Sequence, residues 1–207
     1  MLQPPPHKSR QFATTTRLCL TVTAAAFMLG RAAAAGDDIP RAALEEARKA
    51  SNELVVSVRS ELVKAIEASG PLRAIVVCKY TVPEIASAIS RKYGARVTRV
   101  SLTPRNPSLG WGDAWEQSAL MNFDERVAKG EKADNLEHAE VTTEPSGKFL
   151  RYMKVLPMRA ECMHCHGPAE QMSESIRNHL AHDYPHDRAV GLRLGQVRGA
   201  VTYKKPL

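Results

Sequence analysis

Between residues 40 and 69 apolar side chains recur at steps of three and four, at Leu44, Ala47, Leu54, Val58, Leu62 and Ile66. Glu45, Glu46, Arg48, Lys49, Arg59 and Lys64 occupy the other faces, so the period predicts one long amphipathic helix. Asp38 and Pro40 suit its start and Gly70-Pro71 its end. Thirty residues at the helical rise reach about 45 Å. That is longer than a domain of this size needs, so the helix is expected either to lie across its own sheet or to pack against a second copy. Next, Ala74-Ile75-Val76-Val77 is a short apolar run that reads as a strand ending at Cys78. Thr81-Val82-Pro83-Glu84 reads as a capping box opening a helix that runs to Tyr93 and stops at Gly94. Cys78 is therefore expected just ahead of a helix N-terminus. Residues 95–102 alternate like a strand, 104–112 are a Pro/Gly/Asn loop, and Trp115, Ala119, Phe123 and Val127 share a helix face that ends near Gly130. Residues 140–143 and 149–156 flank Glu144-Pro145-Ser146-Gly147 and read as a hairpin, and 197–203 as a final strand. Helices mixed with hairpin-connected strands point to an α+β domain with an antiparallel sheet.

Composition narrows the class. The 207 residues carry a net charge of +7, 43% hydrophobic and 25% charged side chains, with 13 prolines, 12 glycines and four cysteines. This is too apolar for a disordered chain and too poor in cysteine for a disulfide scaffold. The first 36 residues read as an export signal: Lys8, Arg10 and Arg17 precede an apolar run of thirteen from Leu18 to Gly30, and Ala33-Ala34-Ala35 supplies small residues for cleavage. The run is too short for a stable membrane span, and Cys19 lacks the small residues that precede a lipoprotein cysteine. The expected division is thus a cleaved signal at 1–35 and a single periplasmic or otherwise exported domain at 36–207. Residues 1–36 hold four of the 29 Lys and Arg and none of the 22 Asp and Glu, so residues 37–207 carry +3. No basic stripe for nucleic acid remains, and Lys204-Lys205 reads as a solvated tail.

The chemistry is concentrated in Cys162-Met163-His164-Cys165-His166. CxxCH is the attachment site of c-type haem: two thiols add across the porphyrin vinyl groups and the adjacent histidine is brought under the iron. At this composition the motif is expected by chance roughly 0.003 times. It agrees with the export signal, which was inferred separately. Two other patterns share these residues. Cys162, Cys165, His182 and His186 approach a zinc spacing with an overlong spacer, and Cys162 with Cys165 could form a redox pair, though no βαβ strand leads into it. His164 reads as a bystander, and His179, His182 and His186 as surface histidines.

With Cys19 removed and two thiols consumed, Cys78 is left over in an oxidising compartment. One reading is an inert buried thiol. The other makes it the distal iron ligand, because ferric iron acidifies a thiol, the expected helix N-terminus after it would stabilise a thiolate, and Lys79 places a positive charge beside it. Its rivals as ligand are Met153, Met158 and Met172.

Several separated motifs together resemble a known family, the PAS-like c-type haem domains found as small exported proteins and as extracytoplasmic sensor modules. They are Cys78 with Pro83; Val100-Ser101-Leu102 followed by Arg105-Asn106-Pro107; Glu116, Leu120 and Phe123; the CxxCHG of 162–167; and Tyr184-Pro185-His186-Asp187-Arg188-Ala189-Val190-Gly191 running into Gly195-Gln196-Val197-Arg198-Gly199-Ala200. The resemblance covers roughly Leu44 to Tyr203, with departures at Ser108-Leu109 and Gln196. It implies a PAS-like antiparallel sheet with flanking helices, one haem c between them, His166 as proximal ligand and Cys78 as distal ligand. Arg105 and Arg198 are candidates for the haem propionates, since two carboxylates need cationic partners.

The expected function is a monohaem c-type protein that senses redox state or a small diatomic ligand, with a plain electron-transfer cytochrome as the alternative. An enzyme would need a polar catalytic group beside an open iron position, and none is identifiable. No kinase, cyclase or transmembrane output segment is recognisable, so signalling would pass through a redox or signalling partner protein, with the long helix as a candidate surface for it or for a homodimer.

Overall fold

The structure, a computed structural model, describes residues 38–207. The expected export signal lies outside the described residues. Helix α1 (Arg41–Ser69) is the long helix that the period predicts. Pro40 precedes it without a side-chain cap, and Gly70, at φ 75°, turns the chain out of it. The sheet has four antiparallel strands in the order β1-β4-β3-β2, with β1 Arg96–Val100, β2 Glu137–Glu144, β3 Gly147–Pro157 and β4 Val197–Pro206. The β2–β3 hairpin is in register from Glu137 opposite Lys154 to Glu144 opposite Gly147.

Alternation along the strands separates two cores. Val97, Leu150, Tyr152, Val201 and Tyr203 face Ala47, Ala50, Leu54 and Val58 of α1 and Ile89 of α3 (Val82–Tyr93). Val100, Met153, Val155 and Ala200 face Leu120 and Phe123 of α5 (Ala114–Ala128). A fully enclosed side chain such as Leu54 or Phe123 contributes about 1.5–3 kcal/mol.

The region around Cys78 departs from expectation. The apolar run at 74–77 is not a strand: Pro71–Val76 form α2, Val77–Thr81 continue as a π-helical segment, and α3 follows without a break. Pro71 opens α2 with its fixed φ, and a four-residue apolar run carries no period that separates strand from buried helix. Thr81 has helical dihedrals (φ −71°, ψ −39°) and makes no cap, so the expected capping box does not form. Cys78 sits inside a helical stretch rather than ahead of an N-terminus. The capping box of this fold lies instead at Asp113 and Glu116, at the start of α5.

The loop at 104–112 holds a short helix, α4 (Pro107–Gly110), capped by Asn106. The cysteine motif forms α6 (Met163–His166), and α7 (Glu174–Asp183), which the sequence pattern did not predict, starts at a Ser173 cap. Among the described residues no helix is long and apolar enough to cross a membrane.

Candidate functional site

A helical turn brings residues three and four apart to one side. In α6 this places Cys162, Cys165 and His166 together on the border of a cavity of about 1020 Å³, at the upper end of the range for small-molecule sites. The motif is stapled from behind: Gly191 N donates to Gly167 O (2.9 Å) and Leu192 N to His166 O (2.9 Å). A Cβ at Gly167 would meet Met163 O at 2.8 Å, so only glycine fits directly after the histidine. Burial pushes the Cys162 and Cys165 thiols up, leaving both protonated at neutral pH.

His166 has its tautomer set by its neighbours. Nδ1 lies 2.7 Å from Ala189 O and donates to it, which leaves the Nε2 lone pair free to accept. Burial first, then the charges of Arg198 and Arg105, hold its pKa well below the usual histidine value, so the ring is neutral. A neutral imidazole fixed through its second nitrogen is the form a metal takes.

Arg105 is buried and organises this side. Its Nε donates to Asp187 Oδ2 (2.9 Å), and its Nη2 donates to the carbonyls of Cys165 and Ala189 and lies 3.2 Å from His166 Nδ1. Asp187 Oδ1 in turn accepts from Ala189 N (2.7 Å). Arg198 approaches from β4: Nε donates to His166 Nε2 at 3.5 Å, and Nη1 to Ser101 Oγ (3.2 Å) and Thr103 O (3.4 Å). Burial, with repulsion from Arg99 and Arg105, lowers its pKa to about 10.

Cys78 borders the same cavity from the helical layer. Its neighbour Lys79 pairs with Asp183 of α7 (3.0 Å), which ties the π-helical segment down. The rival methionines lie away from the cavity's border. None borders the cavity among the described residues: Met153 lies in the α5 core, Met172 packs with Ile75, Ile176 and Leu180, and Met158 is buried. The zinc arrangement is not assembled either. His182 is exposed and pairs with Asp183 (3.1 Å), His186 is exposed, and no group of three or more His, Cys, Asp or Glu among the described residues is placed to hold a metal ion.

The cavity thus brings together Cys162, Cys165, His166 and Cys78, with Arg105 and Arg198 beside the histidine. Asp187, Ala189 and Arg99 belong to the site and were missed by sequence reasoning. The first two lie inside a quoted motif without a role, while Arg99 has no signal beyond its place on a strand. These parts fit a covalently held haem: paired thiols, a neutral imidazole and a third sulfur, all bordering one cavity.

A search of the curated proteins found no match. Among solved structures, the crystal structure of the cyanobacterial haem protein Tll0287 matches at 24% identity over 79% of this chain and 91% of that one, with a TM-score of 0.55, a likeness of fold. The sequence profile of the Tll0287-like family matches residues 37–206, so the chain belongs to the Tll0287-like family.

Proposed function

We propose that this chain is an exported haem c protein with one covalently attached haem, whose iron is held by His166 and Cys78, and that it senses redox state or a small diatomic ligand. Family membership and the kinship with a haem protein support haem binding. The observation that carries the ligand assignment is that one cavity is bordered by the CxxCH residues and by Cys78, while no methionine among the described residues reaches it. When bound, the haem supplies an iron that exchanges one electron and accepts axial ligands. Cys162 and Cys165 supply the two thiols for attachment. Ala189 O fixes the His166 ring, and Arg105 holds that carbonyl together with the carbonyl of Cys165. Cys78 supplies a soft anionic donor, which favours the ferric state and a low potential.

Sensing is supported by where Cys78 stands. Single-turn π segments mark functional places in helices, and here the turn joins α2 to α3 and is linked to α7 through Lys79 and Asp183. A change in what Cys78 binds therefore bears on three helices at once. Electron paramagnetic resonance and optical spectra of the ferric holoprotein, with Cys78→Ala beside wild type, test this. The expected result is a low-spin thiolate signature that disappears in the variant. A His/Met charge-transfer band unaffected by the substitution would overturn it and leave the electron-transfer reading in its place.

A further inference from the structure

Seven arginines border the cavity, and five of them are matched to a carboxylate. Arg48 has Glu137 (Nε–Oε1 3.0 Å), Arg59 has Glu161 (2.9 Å), Arg96 has Glu116 (2.6 Å), Arg105 has Asp187 (2.9 Å) and Arg159 has Asp134. Of the two lysines there, Lys79 pairs with Asp183, and Lys154 donates to Asp134 O beside Glu137. Arg99 and Arg198 are left. Among the described residues neither has a carboxylate within ion-pair distance, and the Arg99 side chain makes no hydrogen bond. Asp187, whose charge bears on Arg198, is already held by Arg105.

Two uncompensated guanidiniums on one cavity wall are costly to keep without an anion, because burial removes the water that would solvate them. Arg198 currently donates to His166 Nε2. That nitrogen ligates iron in the proposed function, so a loaded site leaves Arg198 with only two neutral acceptors, Ser101 Oγ and Thr103 O. Arg105, by contrast, has spent its guanidinium on Asp187 and two carbonyls.

We infer that Arg99 and Arg198 form a carboxylate-binding pair that takes the two propionates of the haem, and that Arg105 instead positions the proximal histidine. This rests on the proposed function. The match is one of number and charge: two unpaired cations on the cavity wall for two carboxylates on the group that Cys162 and Cys165 hold. It replaces Arg105 by Arg99 in the pair expected from sequence, and Arg99 carries no motif.

The test is the reduction potential of the holoprotein as a function of pH, for wild type, Arg99→Gln, Arg198→Gln and the corresponding lysine variants. Ionised propionates stabilise ferric iron, so the potential falls as pH rises through their pKa. With both arginines present that fall lies at low pH. In each glutamine variant it is expected to move upward by about one pH unit or more, and the lysine variants, which keep the charge, stay near wild type. Should the glutamine variants mature without haem, the lysine variants carry the test: a wild-type-like curve supports the inference and a shifted one overturns it. Glutamine curves that coincide with wild type overturn it. So does a wild-type curve that moves when inorganic phosphate is added while the glutamine curves stay fixed, since the arginines would then serve a free anion. A wild-type protein recovered without covalent haem overturns the proposed function itself, a result separable from the others by its visible spectrum alone.

Discussion

Single residues on the proximal side carry both packing and chemistry. Arg105 and Asp187 have side chains 9% and 11% exposed, and their ion pair is completed by backbone groups on both members. Removing one partner leaves the other as a buried charge, so Arg105→Ala is expected to cost about 3–5 kcal/mol of unfolding free energy, read from urea denaturation of haem-free protein. Replacing both by apolar residues is expected to cost less than the single change, and a double loss equal to the sum of the two single losses would show that the pair is not coupled. Gly199 is a second sensitive position. Its φ is 154° and an added Cβ would meet Val100 O at 2.3 Å. Gly199→Ala therefore forces β4 away from β1, with an expected loss of about 2 kcal/mol or more. An unchanged urea midpoint would show that the two strands adjust freely there.

At the scale of elements, α1 is fastened to the sheet and to α3 by carboxylates as well as by its apolar stripe. Glu46 accepts from Lys205 and Tyr203, both at 2.6 Å, and Glu53 from Lys92 and Tyr93, both at 2.8 Å. These donors hold both carboxyls below their ordinary pKa of 4.5. At Glu137 burial pushes the other way, but the hydrogen bonds from Arg48 and Tyr152 prevail and its pKa is lowered too. A depressed folded-state pKa gives stability that is fully present above the unfolded value and is lost as pH falls through the folded one. The melting temperature is thus expected to be level near neutrality and to fall below about pH 4.5, with a shallower acid limb in Lys92→Met and Lys205→Met. A long period and an obvious turn made α1 and the β2–β3 hairpin legible in the sequence. The α2–π–α3 stretch was not, because Ala74 to Val77 is too short to show a period and Thr81 resembles a cap only if a strand ends at Cys78. In the site, Cys162, Cys165, His166 and Cys78 were legible because their residue types are rare here and their chemistry is specific. Arg99 and Asp187 were not, since their meaning lies in which partners the fold gives or denies them.

For the whole molecule the cavity is the seam between two layers. Val55, Leu62 and Ile66 of α1, Ile75 of α2 and Cys78 border it from the helical side, Arg99 and Val201 from the sheet side, and the cysteine motif from α6, where Cys165 packs against the cluster of Ile75. Deeper along α1, Ala47, Ala50, Leu54 and Val58 pack directly on the sheet. In the proposed function the layers are linked a second way, because Cys78 and His166 ligate one iron. Cutting that link is expected to act on one layer more than the other. In Cys162→Ser/Cys165→Ser protein the far-ultraviolet circular dichroism should persist, and amides of β3 and β4, paired on both sides within the sheet, should keep their protection from hydrogen exchange. Amides of α2 and the π-helical segment should exchange several-fold faster than in the haem-loaded protein, since local opening there no longer has to break a metal–sulfur bond. Uniform acceleration over the whole chain would mean that the two layers unfold as one unit and that Cys78 has no local hold on its helix. A thiolate ligand could not then transmit its release to α7 without unfolding the protein, and the sensing reading would lose its physical basis.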